Sequence, residues 1–80
     1  MEMENYEEAV SYYMKAADYN PNEFTTPTYL MKAAVAYEKI EDLESALECY
    51  ETIVNKYVNA SEYQAARKHK ARLEGKNKVG

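Results

Sequence analysis

Apolar residues in the first twenty positions fall at Tyr6, Ala9, Val10, Tyr13, Ala16 and Ala17. This is the i, i+3, i+4, i+7 spacing of a single buried helical stripe. It predicts a helix over 5–19, opened by Asn5 as N-cap with Glu8 three residues on in a capping box, and stopped by Asn20-Pro21. After the loop NPNEFTT, a second helix starts at Thr26-Pro27. There a hydroxyl can cap, and proline at the first helical position gives up an N–H that would be unpaired anyway. This helix carries Leu30, Ala33, Ala34 and Tyr37 to about Ile40. Asp42 caps a third, with Leu43, Ala46, Leu47, Tyr50, Ile53, Val54 and Tyr57 on its apolar side. A link of only a residue or two folds the second and third helices back as an antiparallel hairpin. Ala34 is expected to face Ala46, since small side chains let two helix backbones approach. A fourth helix opens with Ser61 and Gln64, again a capping box, and carries a thin apolar side of Tyr63, Ala66, His69 and Leu73. It is expected to end near Glu74, with Gly75 as C-cap and KNKVG as a frayed tail.

The chain repeats itself. ENYEEAVSYY at 4–13 and EDLESALECY at 41–50 share Glu, Glu, Ala and Tyr in register, 37 positions apart. Helices one and three are therefore the same element, the second arm of a helix hairpin, and helix two is the first arm of the second hairpin. The chain holds two Gly and two Pro, and both Gly lie near the C-terminus, which leaves long stretches without a helix breaker. The fold class expected is all-α, with about four helices.

The residues resemble the tetratricopeptide repeat, a helix-turn-helix unit of about 34 residues. Residues 27–60 resemble one complete unit: Leu30, Ala34, Tyr37, Ala46 and Tyr50 stand where that family places a large apolar residue, a small one, tyrosine, alanine and an aromatic. Two positions depart from the pattern, with Ile53 where alanine is usual and Val58 where proline closes the unit. Residues 1–26 resemble the second half of a unit (Tyr6, Ala9, Tyr13, Ala16 and the closing Pro21) followed by a loop, and a three-residue insertion around Phe24-Thr25-Thr26 accounts for the 37-residue spacing. Residues 61–75 resemble the extra helix that caps such arrays, and 76–80 form a flexible tail. The stretch NEFTTPTYLMKAA is also similar to the C-terminal part of bacterial membrane-anchored tetratricopeptide proteins such as the ancillary subunit of the export translocon. These resemblances imply antiparallel helix hairpins and a non-catalytic adaptor or scaffold. The half unit implies a piece of a longer protein, with the compartment open between cytoplasmic and, for an anchored parent, extracytoplasmic.

Composition and charge narrow the chemistry. No apolar run approaches the roughly 20 residues that span a bilayer, and MEMENYEE is no signal peptide. Residues 1–60 carry twelve acids and four bases, whereas 61–80 carry two acids and six bases. The basic end reads as a solvated helix face and tail, and the acidic body argues against nucleic acid in spite of nine tyrosines, five of which fall on apolar stripes. Cys49 is the single thiol and His69 the single imidazole, on different helices, so a Cys–His nucleophilic pair has nothing to bring it together. No two soft ligands share a helix face, and no glycine-rich phosphate loop occurs. Acidic clusters such as Glu7-Glu8 and Glu41-Asp42-Glu44 sit at helix starts, where carboxylates complement the helix dipole. The expectation is no catalysis, no metal and no cofactor.

A protein or peptide partner remains. The resemblance implies that the first arm of a hairpin lines a groove, which here means Thr28, Met31, Lys32, Val35, Glu38 and Lys39. Relatives that clamp a terminal carboxylate use basic and amide side chains at these points, so an apolar or mixed segment fits this set better. Met31 and Val35 either offer an apolar groove or cover the capping helix. Helix one lacks a hairpin partner, so the stripe of Tyr6, Val10, Tyr13 and Ala17 is expected to be uncovered on one side and to bring two copies together as a dimer. The competing expectation is a self-assembly element without a specific peptide ligand.

Overall fold

The computed structural model describes the backbone of residues 5–78 and the side chains of residues 5–75. Four α-helices and no strand occur among them: α1 (Asn5–Tyr19), α2 (Thr26–Lys39), α3 (Leu43–Lys56) and α4 (Tyr63–Lys78). Each packs on its successor, so the chain zigzags into a slab of 39 × 30 × 17 Å. Ala33 and Ala34 of α2 are completely buried beside Ala46, Tyr50 and Ile53 of α3. Alanine at these points lets the hairpin close tightly, and a larger side chain at Ala34 or Ala46 should cost about 1–3 kcal/mol through overpacking. Ala17 of α1 joins the same core, as do Ala66 and Leu73 of α4.

The turn between α2 and α3 follows its sequence closely. Asp42 caps α3 by accepting a hydrogen bond from the Ser45 N–H at 3.2 Å. The Asp42 N–H reaches back to the Tyr37 carbonyl at 2.9 Å and the Glu41 N–H to the Glu38 carbonyl at 3.0 Å, which satisfies the end of α2. This closure puts Glu41 at φ 65°, the left-handed region that a Cβ disfavours.

Four helix ends differ from the sequence expectation. Asn5, expected as the N-cap of α1, is its first helical residue. Thr26 is not the N-cap of α2: it is the first helical residue, and Thr25 at the cap position makes no side-chain hydrogen bond. Thr26 is buried instead, and its hydroxyl accepts from the Asn22 N–H at 2.9 Å while donating to the Ala17 carbonyl at 3.4 Å. A hydroxyl aimed at the end of α1 cannot also cap α2. Ser61 lies ahead of α4, which starts at Tyr63, and its hydroxyl bonds the Glu62 carboxylate at 3.3 Å. Gly75 does not stop α4, which continues to Lys78. A helical glycine costs only about 1 kcal/mol relative to alanine, and Gly75 does not take the positive φ of a glycine C-cap. Val79 and Gly80 of the expected tail lie outside the described residues.

Polar contacts complete what the thin apolar side of α4 leaves undone. Tyr50 is 0% exposed, and its ring stacks on His69 of α4 with centroids 5.0 Å apart. Its hydroxyl donates to the Glu38 carboxylate on α2 at 2.7 Å. Arg72 of α4 donates to both oxygens of that carboxylate, at 3.1 and 3.0 Å, and to His69 Nδ1 at 2.9 Å. Thr28 of α2 adds a hydrogen bond to Glu62 at 2.8 Å. Burial alone would raise the Glu38 carboxyl. The hydrogen bonds from Arg72 and Tyr50 and the Arg72 charge outweigh it and hold the group below the usual carboxylate range. Burial first, then the hydrogen bond to Glu38, pushes the Tyr50 phenol up.

The strained turn and the partly buried carboxylate can each be tested by melting. Glu41→Gly relieves the left-handed strain, so thermal melting should show a stability gain of roughly 1 kcal/mol, or several degrees for a domain of this size. Glu38, with its folded-state value depressed, contributes stability that is present above the ordinary carboxylate range and lost as pH falls through the folded value. Melting of Glu38→Gln should therefore be lower than wild type at pH 7, with the gap closing in acid. A gap independent of pH would show that the charge plays no part.

Candidate functional site

The seam between α1 and α2 carries most of the large apolar side chains left in solvent. Tyr12 is 63% exposed, Tyr19 89%, Phe24 82% and Val35 42%, and each lines a cleft along this seam, whereas Val58 stands elsewhere. The α1 stripe explains part of this. Val10 and Ala17 point at the core, while Ala9 and Tyr13 lie on its flank and are only half-buried. The loop explains the rest. Asn22 organises it, its side-chain oxygen accepting from the Phe24 and Thr25 N–H groups at 2.8 Å each and its amide donating to the Asn20 carbonyl at 3.0 Å. With Asn22 and Thr26 holding the backbone, Phe24 is turned outward.

Two clefts adjoin along the seam and share Tyr13 and Lys32. One, of about 280 Å³, has Tyr6, Ala9 and Tyr13 on the α1 side and Met31, Lys32 and Val35 on the α2 side. The other, of about 360 Å³, is aromatic, with Tyr12, Tyr13, Phe24 and Tyr29 around Thr28 and Lys32. The rings of Tyr13 and Tyr29 lie 6.4 Å apart, and Tyr12 meets Tyr13 edge-on at 5.6 Å. Surfaces of this kind, apolar with one cation, suit a peptide or helix presenting apolar side chains and an acid.

The six groove residues expected from the sequence are divided by the structure. Met31, Lys32 and Val35 line one cleft, so Val35 faces α1 rather than serving as cover for α4. Thr28 borders the aromatic cleft and is bonded to Glu62, and Glu38 is committed to Tyr50 and Arg72. Lys39 is exposed and lines neither cleft. The four residues expected to pair two copies are divided as well. Val10 and Ala17 are already buried by their own chain, because α2 packs along α1 and supplies the cover expected from a second copy. Tyr6 and Tyr13 stay half-exposed and fall in the same cleft as Met31 and Val35. Sequence spacing treated the two sets as separate surfaces, yet they meet. Phe24, an aromatic residue in a loop otherwise polar, was the available signal for the second cleft.

Nucleophilic chemistry finds no assembly. The His69 ring is stacked on Tyr50 with Nδ1 taken by Arg72, whereas Cys49 Sγ is buried and turned to Met14 Sδ of α1 at 3.9 Å. Burial, with a smaller effect of Glu48, pushes the Cys49 thiol up to about 11. Among the described residues no group of three or more His, Cys, Asp or Glu is placed to hold a metal, and no helix is long and apolar enough to cross a membrane. Cys49 in the native protein should accordingly resist a thiol reagent such as an aromatic disulfide at pH 7 and react at full rate only in denaturant. Rapid native labelling would mean that the α1–α3 contact opens freely.

No curated protein and no solved structure matches the chain significantly, so the narrower likeness to the translocon subunit has no counterpart there. The family model described as tetratricopeptide repeat matches residues 1–23 and 27–55, more than half of the chain. Its two segments coincide with α1 and with the α2–α3 hairpin, the elements that the 37-residue repeat relates. A repeated helix, a tight alanine-lined hairpin and the family match agree, and the chain belongs to the tetratricopeptide repeat family.

Proposed function

We propose that this chain is a non-catalytic protein-binding module, an adaptor or scaffold element that holds a segment of another protein along the α1–α2 seam. One observation carries the reading: on an acidic body, the exposed Tyr12, Phe24 and Val35 gather along a single seam rather than scattering. Single exposed apolar residues are ordinary, but a contiguous group at a cleft is characteristic of an interaction site. Tetratricopeptide repeats generally mediate protein–protein interaction, which supports the same role.

Val35→Lys tests the reading. Val35 is outside the core, so the melting temperature should change by less than the equivalent of about 0.5 kcal/mol. Peptides selected by display against the wild-type chain should lose at least tenfold in affinity for this variant, and their bound amide shifts should centre on Tyr13, Met31 and Val35. Selected peptides that bind both proteins equally would remove the seam as the site and leave self-assembly as the competing role.

A further inference from the structure

One contact of α4 can be made by only one protonation state of His69. Arg72 Nη2 lies 2.9 Å from His69 Nδ1. A guanidinium is a donor at every nitrogen and keeps its charge at any ordinary pH, so Nδ1 supplies the lone pair and the ring hydrogen sits on Nε2. The contact therefore fixes a neutral imidazole in a defined tautomer. The same Arg72 nitrogen donates to both Glu38 oxygens, at 3.1 and 3.0 Å. The His69 ring lies over the buried Tyr50 ring, with centroids 5.0 Å apart and planes 18° from parallel. Imidazole, guanidinium, carboxylate and phenol thus form one cluster where α2, α3 and α4 meet.

A proton on Nδ1 turns this acceptor into a donor aimed at another donor, and sets one cation against a second. The groups facing His69 leave the conflict in place. From α2 comes Glu38, whose carboxylate already accepts from Arg72 and, at 2.7 Å, from the Tyr50 hydroxyl. From α3 comes Tyr50, a phenol pushed up by burial and by Glu38, which stays neutral in acid. α4 itself adds Lys68, which shares a cleft of about 340 Å³ with Ala65, His69 and Arg72 and is in no salt bridge among the described residues. Once His69 is charged, one carboxylate faces three cations. We infer that His69 is a proton-operated latch: uptake of a proton at Nδ1 releases Arg72 and loosens α4 from the α2–α3 hairpin. Acid favours the loosened form, because the seated helix keeps Arg72 on Nδ1 only while that nitrogen is bare, whereas the loosened helix leaves it free to bind a proton. Imidazole side chains ordinarily charge as pH falls through about 6.5. Glu38, held below the usual carboxylate range, takes up its own proton only in stronger acid, so the two responses are separated in pH. Lifting α4 uncovers the Tyr50 ring and the side of the core that Ala66 and Leu73 close.

Nitrogen-15 correlation spectra of the imidazole in the intact chain test the starting state. At pH 7.5 Nδ1 should be bare and Nε2 should carry the hydrogen; a hydrogen on Nδ1 at that pH would overturn the latch outright. Native hydrogen exchange at pH 7.5 and 5.5, corrected for the intrinsic pH dependence of exchange, then follows the helix. Protection at Ala66 and Leu73 should fall roughly tenfold relative to Ala34 and Ala46 of the hairpin, as for loss of one charge-assisted hydrogen bond. Equal relative protection at both pH values would overturn the inference. His69→Gln keeps an oxygen that accepts from Arg72 and takes up no proton in this range, so its α4 protection should be the same at both. A fall as large as in wild type would assign the response to another group and overturn the latch as well. Where loss of the ring stack unseats α4 in that variant, the wild-type titration decides. The His69 ring signals and the α4 amide shifts should move with one common midpoint, and separate midpoints would exclude His69 as the trigger.

Discussion

A tyrosine hydroxyl buried without a partner would be costly, and Tyr50 avoids that cost in a way that organises the molecule. Its hydroxyl donates to Glu38, Glu38 is neutralised by Arg72, and Arg72 also holds His69 against the tyrosine ring. Three helices thereby meet at one side chain. α4, whose described residues Ala66 and Leu73 join the core, is also held by this network. Because the carboxylate lies between two donors in a site that is only partly wet, its charge is worth more there than on an open surface.

The same arrangement explains why the two ends of the slab differ. At the α4 end the outward positions are polar: Arg67, Lys70 and Glu74 stand in the register that Leu30, Ala33 and Tyr37 occupy in α2. Lys70 and Glu74 pair at 2.8 Å along the helix, so this surface is content in water. Terminal units of stacked repeats need such a polar outer face to stay soluble. At the α1 end no comparable exchange has occurred, and Tyr6, Ala9 and Tyr13 remain apolar beside Met31 and Val35. The described face of α4 is polar, and the edge of α1 is apolar.

The periodicity, the caps and the repeat were enough to place four helices and the tight hairpin, because those features depend on neighbours within four residues or on a link too short to allow an alternative. Asp42 as a cap and the burial of Ala34 and Ala46 are of this kind. Helix ends governed by distant partners were not legible. Thr26 forgoes capping because Ala17, nine residues back, offers its carbonyl, and Gly75 continues a helix because nothing turns the chain there. The family pattern itself was legible, since Leu30, Ala34, Tyr37, Ala46 and Tyr50 occupy it in order.

The candidate site needed the tertiary structure. Sequence spacing put Tyr6 and Tyr13 on one surface and Met31 and Val35 on another, because a helical wheel gives the angle of each side chain about its own axis and nothing more. How two axes lie together is decided by packing, here by α2 burying Val10 and Ala17 while leaving Ala9 and Tyr13 at its edge. That packing also removed the wide uncovered stripe expected for α1 and left a narrower cleft shared by both helices. The sequence by itself determined the helices, their repeat and the family. The tertiary structure decided which apolar residues remain in water, because exposure depends on the approach of elements far apart along the chain.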